Sequence, residues 1–293
     1  MSGVDRVALQ KLLQSTFGLA LKPPLAAPCV YQQWRDVSSL AAAVIDALDA
    51  RVVAVSGSQG SGKTTLTEVL AQTAASVTGP VGHVSLDDFY LPAAARTALS
   101  HAVHPLLRTR GVPGTHDWEW LMRVLEQVRG GGGTLQLPRF DKGRDDRAGT
   151  DTVEAKRLIL EGWCLGTAAQ PEHLLTPPCN TLEATEDAQG VWRRYVNQQL
   201  RQYYEPMWRQ VDFWIHLRVP GFDEVRAWRA QQEQQLPPGQ RMTPAEIERF
   251  ISHYERLTRW LWARPPWGPG LVIELDAQHR IAGFSCVTGP PGA

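Results

Sequence analysis

The residues best suited to chemistry lie in one short segment, Gly57 to Thr64, which reads GSQGSGKT. It fits the pattern G-x-x-x-x-G-K-[ST], in which glycines let the backbone turn and aim N–H groups inward at phosphate oxygens. Lys63 supplies a point charge for those oxygens, and the hydroxyl of Thr64 is a hard oxygen ligand suited to Mg²⁺. The segment therefore predicts a site for a nucleoside triphosphate and its magnesium ion.

The sequence on both sides of this segment has the pattern that such a loop requires. Residues 52–55 form a short apolar, β-branched-rich run, which is typical of a buried parallel strand. Beyond the glycines, Leu66, Leu70 and Ala74 recur at helical spacing, so a helix is expected to pack one face on the sheet. A glycine-rich connection in an unrelated fold is the alternative interpretation, and the flanking strand and helix argue against it.

Two acidic positions follow apolar strands further along the chain. The run 81–86 ends at Asp87, and the run 158–160 ends at Glu161. A carboxylate at the C-terminal end of a parallel strand lies on the ligand side of the sheet. Asp87 and its neighbour Asp88 are candidates for a base, a metal partner or both, with a simple strand-to-loop cap as the alternative. Glu161 is expected to be the second Mg²⁺ element, acting through water.

Two loops carry most of the remaining charged candidates. Residues 104–117 are punctuated by glycine and proline, and residues 139–147 contain the densest charge cluster in the chain. Arginines beside a phosphate site could bind an anionic substrate, because the guanidinium fork matches a carboxylate. A solvated, charged surface is the competing interpretation for both loops.

The bulk composition limits the classes of partner. The 30 basic and 30 acidic residues cancel, so nothing indicates nucleic acid or a membrane surface as a partner. The four cysteines include no C-x-x-C pair, which is typical of reduced thiols and argues against a zinc site. Neither a secretory signal nor an apolar run of transmembrane length is visible. We expect a cytoplasmic protein, and the sequence leaves its oligomeric state open.

Strands that alternate with helices predict the fold class. We expect an α/β, three-layer P-loop NTPase fold with a central, mostly parallel sheet of five strands or slightly more, flanked by helices, and a helical lid or C-terminal region. We interpret the chain as one domain with a helical extension at 1–50, a nucleotide-binding core at 51–220 with substrate loops at 104–147, and a lid with a last strand at 221–293. Residues 167–190 are expected to form a long surface connection. The remaining strand candidates are 135–140, 211–219 and 271–275.

Taken together, these segments resemble D-glycerate 3-kinase and its bacterial relatives. That family lies in the branch of P-loop kinases that includes phosphoribulokinase, uridine kinase and bacterial pantothenate kinase. The segments that carry the likeness are GSQGSGKTT at 57–65, SLDDFY at 85–90, RGVPGTHD at 110–117, LPRFDK at 137–142, LEGW at 160–163 and WRAQQE at 228–233. The phosphate loop identifies only the superfamily, whereas its combination with RGVPGTHD and LPRFDKGRDDR is far more specific.

The resemblance implies an ATP- and Mg²⁺-dependent kinase and a role for each matching residue. Asp87 would accept the proton of the substrate hydroxyl or orient that hydroxyl, and Lys63 would neutralise charge on the transferring phosphoryl group. Arg229 would close from a lid, with Arg193 or Arg194 as further candidates. The implied nucleotide ligands are Gly57, Ser58, Gln59, Gly60, Ser61, Gly62, Lys63, Thr64 and Thr65. The implied metal-site residues are Thr64, Asp87 and Glu161. The substrate candidates are Arg108, Arg110, His116, Asp117, Arg139, Asp141, Lys142 and Arg147, with Arg110 and Arg139 as first choices for a carboxylate.

The identity of the acceptor is open at this point. D-glycerate is the leading candidate, and pantothenate, a nucleoside or a sugar phosphate would use the same chemistry. A different class is an ATP-binding switch or assembly factor that acts on a protein partner. Against that class, Asp87 stands where a transferase needs a base.

Overall fold

The computed structural model describes residues 30–234, 237, 239, 241–264 and 267–288. The first 29 residues, which belong to the predicted N-terminal extension, lie outside the described residues. The helices are α1 Val30–Ala47, α2 Lys63–Thr78, α3 Ala93–Ala102, α4 Trp118–Arg129, α5 Glu172–Leu175, α6 Thr181–Glu186, α7 Val191–Gln199, α8 Glu205–Trp208, α9 Phe222–Gln234 and α10 Pro244–Trp262. The strands are β1 Val52–Gly57, β2 Val81–Ser85, β3 Gly133–Asp141, β4 Asp146–Ala155, β5 Arg157–Gly162, β6 Phe213–Arg218, β7 Pro269–Leu275 and β8 Ile281–Thr288.

A six-stranded sheet with the order β2-β5-β1-β6-β7-β8 forms the centre of the fold. All its neighbouring strands are parallel except β7 and β8, which pair antiparallel. The predicted mostly parallel sheet is therefore confirmed, and β8 is a strand that the sequence pattern did not indicate. The carboxyl ends of β1, β2 and β5 meet at one edge, where a parallel sheet binds its ligands.

Hydrophobic layers cover both faces of the sheet. Along β1 the side chains alternate, so that Val52 and Ala54 belong to one buried cluster while Val53 and Val55 belong to the other. Apolar residues of α1 and α2 complete the second cluster, and apolar residues of α4 complete the first. Because both faces are covered, the central strands are continuous apolar runs, as the three-layer prediction requires.

The strand predicted at 135–140 exists, but it does not join the central sheet. It is the middle of β3, which pairs antiparallel with β4 in a separate two-stranded sheet. Its buried and exposed residues alternate over much of its length, as expected for a ribbon with one covered face. The charge-rich segment at 141–147 contains the turn of this hairpin, where Asp145 adopts a left-handed φ of 54°.

The segment 167–190 is more than the surface connection that the sequence suggested. It contains α5 and α6, and its Glu183 and Asp187 are buried. Arg256 of α10 donates to both oxygens of Glu183 at 2.7 and 2.5 Å. Arg193 of α7 donates to Asp187 at 2.9 Å. The acids of this segment therefore anchor it to neighbouring helices, because a buried carboxylate requires a charged or hydrogen-bonding partner.

Among the described residues, no helix has the length and apolar character needed to cross a membrane. The described cysteines Cys164, Cys179 and Cys286 are free thiols. The division of the chain into an extension, a core and a lid remains a prediction, with α9 and α10 occupying the region assigned to the lid.

Candidate active site

The phosphate loop joins the end of β1 to the start of α2. Gly60 and Gly62 have φ values of 80° and 84°, which favour glycine. Gly62 precedes α2 without any side-chain cap, so the first N–H groups of that helix are available to an anion. Lys63 begins the helix, and its ammonium donates weakly to the Ser58 carbonyl at 3.5 Å. Thr65 lies in the first turn of α2 and is exposed.

Helix α9 packs directly on this loop. A Cβ atom at Gly60 would lie 2.7 Å from the Cβ of Trp228, and one at Gly57 would lie 2.6 Å from the Ser61 Oγ. The close packing of α9 therefore places Arg229, the next residue after Trp228, in the helix that covers the loop. Its guanidinium is held by Glu233 at 2.6 Å, so the predicted lid arginine has a carboxylate partner in this state.

Thr64 and Glu161 come together as the sequence predicted. Glu161 pairs in register with Val55 near the end of β1, and the Thr64 hydroxyl donates to its Oε1 at 3.4 Å. Several buried side-chain oxygens of the site have no hydrogen-bond partner among the described residues; they belong to Ser58, Gln59, Ser61 and Glu161.

The donor set around Thr64 fits Mg²⁺. A hydroxyl beside an unpaired carboxylate oxygen is a suitable pair of ligands for a hard cation, and a buried unpaired oxygen is costly until it finds a partner. Within the described ranges, no group of three or more His, Cys, Asp or Glu side chains could hold a metal alone. A cation here would therefore share its ligands with phosphate oxygens and water, as Mg²⁺ usually does at such sites.

Asp87 lies in a short 3₁₀ turn, Leu86–Phe89, directly after β2. Its carboxylate accepts from the Lys142 ammonium at 2.7 Å and from the Tyr90 hydroxyl at 2.9 Å. Burial raises the pKa of Asp87, but Lys142, Lys63 and Tyr90 outweigh it and lower that pKa to about 2. Asp87 is therefore ionised at neutral pH, with two lysines around it.

The neighbouring Asp88 has a different set of partners. It accepts from the backbone N–H of Phe140 and from Arg139, both at 3.1 Å. Arg139 also donates to Asp151 at 2.7 Å. Asp88 thus attaches the β3–β4 hairpin to the end of β2. Arg139, a first choice for the substrate carboxylate, has its guanidinium engaged by two protein carboxylates.

The turn of the hairpin brings further predicted residues to Asp87. Asp141 accepts from the backbone N–H groups of Gly143 and Arg144 at 2.8 and 3.1 Å, so its side chain shapes the turn. Arg110 forms an ion pair with Asp145 and donates to the Lys142 carbonyl at 3.4 Å. Arg110 therefore lies beside the lysine that contacts Asp87.

Two other substrate candidates mainly support the scaffold. Asp117 caps α4 by accepting from the Trp120 N–H at 3.1 Å and forms a 3.1 Å ion pair with Arg147. Arg147 also donates to the Tyr90 carbonyl at 3.3 Å. Arg108 is different, because its side chain is exposed and forms no hydrogen bond or ion pair within the described part of the chain.

His116 lies buried against Tyr90. Their rings stack with centroids 4.6 Å apart, and the His116 Nδ1 lies 2.7 Å from the Tyr204 hydroxyl. Burial lowers the pKa of His116 to about 4, although Asp87 opposes the shift. The imidazole is therefore neutral near pH 7, and its buried Nε2 has no partner within the described ranges.

The two arginines of α7 that are candidates for a lid are both paired with carboxylates. Arg193 is buried in its ion pair with Asp187, and it donates to the Leu175 carbonyl at 2.6 Å. Arg194 forms a 2.6 Å ion pair with Glu172. Both side chains join α7 to the segment 167–190, and the suggestion that either closes on the phosphates stays a prediction.

Sequence reasoning missed two tyrosines, Tyr90 and Tyr204. Tyr90 stands three residues after Asp87 in the segment SLDDFY, so its position in the motif was a usable signal. Tyr204 lies 88 residues from His116, and nothing local in the sequence connects them.

Comparisons with known proteins agree with this geometry. No protein-family model matches the chain. The uncharacterized kinase mug58 of Schizosaccharomyces pombe is 31% identical over 222 residues, which cover 69% of this chain and 78% of that protein. The chloroplastic D-glycerate 3-kinase of Arabidopsis thaliana is 29% identical over 251 residues, which cover 78% of this chain and 53% of that protein. The structure of D-glycerate 3-kinase from Cryptococcus neoformans has a TM-score of 0.71 at 25% identity and covers 89% of this chain and 100% of that one.

A phosphate loop, an ionised carboxylate beside it and relatives named as kinases define an ATP-dependent P-loop kinase. Such an enzyme transfers a phosphoryl group to a hydroxyl. Within that class, the chain belongs to the D-glycerate 3-kinase family.

Proposed function

We propose that the protein phosphorylates a hydroxyl of a small hydroxy acid, with D-glycerate as acceptor and 3-phosphoglycerate as product. The observation that carries this proposal is the Asp87–Lys142 ion pair, with Arg110 beside Lys142. It provides an ionised carboxylate for a hydroxyl and cationic groups for an acid. The relatives named D-glycerate 3-kinase support the same acceptor.

The phosphate loop binds and orients ATP in this proposal. Backbone N–H groups of residues 57–65 and the start of α2 would surround the phosphates, while the Lys63 ammonium would contact the β- and γ-phosphate oxygens. Thr64 and Glu161, with Asp87 through water, would hold Mg²⁺, which supplies positive charge to the oxygens of the transferring group. Charge stabilisation of this kind supplies most of the catalysis in phosphoryl transfer.

Asp87 would orient the acceptor hydroxyl and receive its proton. As the bond from that oxygen to the γ-phosphorus forms, the bond from the γ-phosphorus to the β,γ-bridging oxygen breaks and ADP leaves. The proton moves to Asp87 and later passes to solvent. A carboxylate with a pKa of about 2 is a weak base, so proton transfer late in the reaction and orientation of the hydroxyl are its main contributions.

Arg110 is the candidate that the geometry favours for the acceptor carboxylate. Its partner Asp145 is half-exposed and is shared with Arg96, so an incoming carboxylate can replace it. The guanidinium of Arg139 is less available, because Asp88 and Asp151 both occupy it. Arg229 remains the proposed lid residue and would have to exchange Glu233 for a phosphate oxygen.

The proposal is tested by ADP release with Mg·ATP against D-glycerate, L-glycerate, pantothenate, uridine and ribulose 5-phosphate. Stimulation by D-glycerate alone is the expected result, and the phosphorus NMR spectrum of the product identifies the hydroxyl that was phosphorylated. Stimulation by another compound of the panel would support the kinase activity and identify that compound as the acceptor. If ATP binds and no acceptor raises turnover, the proposed acceptor class is wrong and a protein partner becomes the leading interpretation.

A further inference from the structure

The two oxygens of the Asp87 carboxylate accept from donors that differ in burial and in conformational freedom. The Tyr90 hydroxyl donates to Oδ1 and the Lys142 ammonium donates to Oδ2. Tyr90 is only 3% exposed, whereas the Lys142 side chain is 62% exposed. A long exposed lysine has many alternative rotamers, and a buried aromatic ring has few. One oxygen is therefore held by a fixed group and the other by an exchangeable one.

The Tyr90 ring is fixed by the residues around it. It stacks on His116, and its other neighbour Phe140 contacts it edge-on with centroids 5.3 Å apart. A β-bridge joins the backbones of Tyr90 and His116, and the Leu91 N–H donates to the Thr115 carbonyl at 2.9 Å. The hydroxyl can therefore leave Asp87 only if this packing rearranges.

His116 is fixed in turn by Tyr204. The Gly114 N–H donates to the Tyr204 hydroxyl at 3.1 Å, which leaves that hydroxyl free to donate its own proton to Nδ1 of His116. A neutral imidazole that accepts at Nδ1 carries its proton on Nε2. Tyr204 ends a π-helical turn at Leu200–Tyr204, a type of irregularity that is frequent at functional sites. Tyr204 thus contacts His116, His116 stacks on Tyr90, and Tyr90 donates to Asp87.

We propose that Tyr90 is the positioning residue of Asp87: its hydroxyl reserves Oδ1, so that Oδ2 is the oxygen that receives the acceptor hydroxyl. The inference rests on the proposed function. The acceptor hydroxyl replaces the Lys142 ammonium at Oδ2 and delivers its proton there as the new P–O bond forms. The displaced ammonium then lies close to the negative charge of the transferring phosphoryl group.

The first test is Tyr90→Phe, which removes the hydroxyl and keeps the ring against His116 and Phe140. We expect kcat with D-glycerate to fall by on the order of 10- to 100-fold, because the carboxylate is no longer aligned. KM for Mg·ATP and the midpoint of thermal unfolding should stay near wild type. Tyr203→Phe is the matched control, since the Tyr203 ring stacks on Trp118 and should leave kcat unchanged. A wild-type kcat in Tyr90→Phe would overturn the inference.

The second test is a ¹³C NMR titration of the Asp87 carboxyl in substrate-free protein. In Lys142→Met the pKa should rise into a measurable range, and adding Tyr90→Phe should raise it again, because the ionised form loses a hydrogen bond. A residue that only supports the fold would leave the titration of the single and double variants the same, and that outcome overturns the inference. The titration needs no acceptor, so a shifted pKa with no turnover of D-glycerate would contradict the proposed function alone.

Discussion

The phosphate loop and the β3–β4 turn both lie beside Asp87, but they are built differently. On the loop side, buried oxygens of Ser58, Ser61 and Glu161 have no hydrogen-bond partner in the part of the chain that the structure describes. On the turn side, Arg110 and Lys142 are joined to carboxylates of the protein itself. The proposed nucleotide side therefore has unpaired groups, whereas the proposed acceptor side is closed by internal ion pairs. An acceptor must replace some of those pairs, so its affinity depends on how easily they break.

The largest expected effect is a loss of kcat, and it should distinguish Asp87 from its neighbour Asp88. Asp87→Asn should reduce kcat by about 10²- to 10⁴-fold, because the amide cannot receive the hydroxyl proton. ATP affinity, measured by calorimetry, should stay close to wild type. Asp88→Asn is the matched control, because it weakens the contacts with Arg139 and Phe140. It should lower the free energy of unfolding and change kcat little. Wild-type turnover in Asp87→Asn would refute its assignment.

A second variant tests whether the loop is formed in advance. Gly60→Ala places a Cβ 2.7 Å from Trp228 at a φ of 80°, and backbone strain of this kind costs about 1–3 kcal/mol. We expect ATP affinity to fall on the order of tenfold.

Gly79 provides the control for that variant. It has a φ of 85°, but a Cβ there would meet nothing within 4 Å. Gly79→Ala should therefore lower the free energy of unfolding and leave ATP affinity unchanged. Equal loss of ATP affinity in both variants would mean that lower overall stability, and not the contact of the loop with α9, reduces the affinity.

A third variant, Lys142→Met, removes the ammonium group that pairs with Asp87. In Lys142→Met, burial of Asp87 is opposed only by Lys63 and Tyr90, so the pKa of Asp87 should rise above its wild-type value of about 2. The ionised carboxylate is the active form, so kcat should fall as the pH decreases. Each pH unit below the raised pKa lowers the ionised fraction about tenfold. Between pH 5 and 8, kcat of the wild type should not show this acid limb, and two parallel profiles would contradict the assignment.

The smallest expected effect concerns Arg110. Asp145→Asn removes its carboxylate partner, and half-exposed ion pairs contribute about 0.2–1 kcal/mol. KM for D-glycerate should therefore fall by roughly two- to fivefold. Asp151→Asn is the control, because it removes one carboxylate partner of Arg139 and should not change KM for D-glycerate. If both variants lower KM equally, the choice of Arg110 over Arg139 is not supported.

The loop side was predictable because its information is local. Lys63 and Thr64 lie within eight residues of Gly57, and a strand and a helix flank them directly in sequence. The acid Glu161 could be placed because parallel strands end at one edge of a sheet. That rule needs only the strand pattern and not the order of the strands.

The turn side was less predictable because its contacts join distant residues. Asp87 and Asp88 are alike in sequence, and only their partners, about 50 residues away, distinguish a site residue from an anchor. Arg139 looked available for a substrate because Asp151 belongs to β4, a polar strand with no apolar run to reveal it. The buried ion pair of the lid candidate Arg193 was unpredictable for a similar reason, since its partner Asp187 lies in a segment that composition alone assigned to the surface.

The paired aspartates also limit how far the β3–β4 hairpin can move from the end of β2. Asp88 holds the hairpin at Phe140, and Asp87 contacts the same hairpin at Lys142, only two residues further on. Because only two residues separate these contacts, the backbone at Lys142 cannot move far from Asp87 while Phe140 stays bonded to Asp88. In the proposed function, the acceptor hydroxyl displaces only the Lys142 side chain from Asp87. The backbone of the hairpin stays attached to Asp88 through Phe140, so the site can open at one side chain while the ribbon keeps its place.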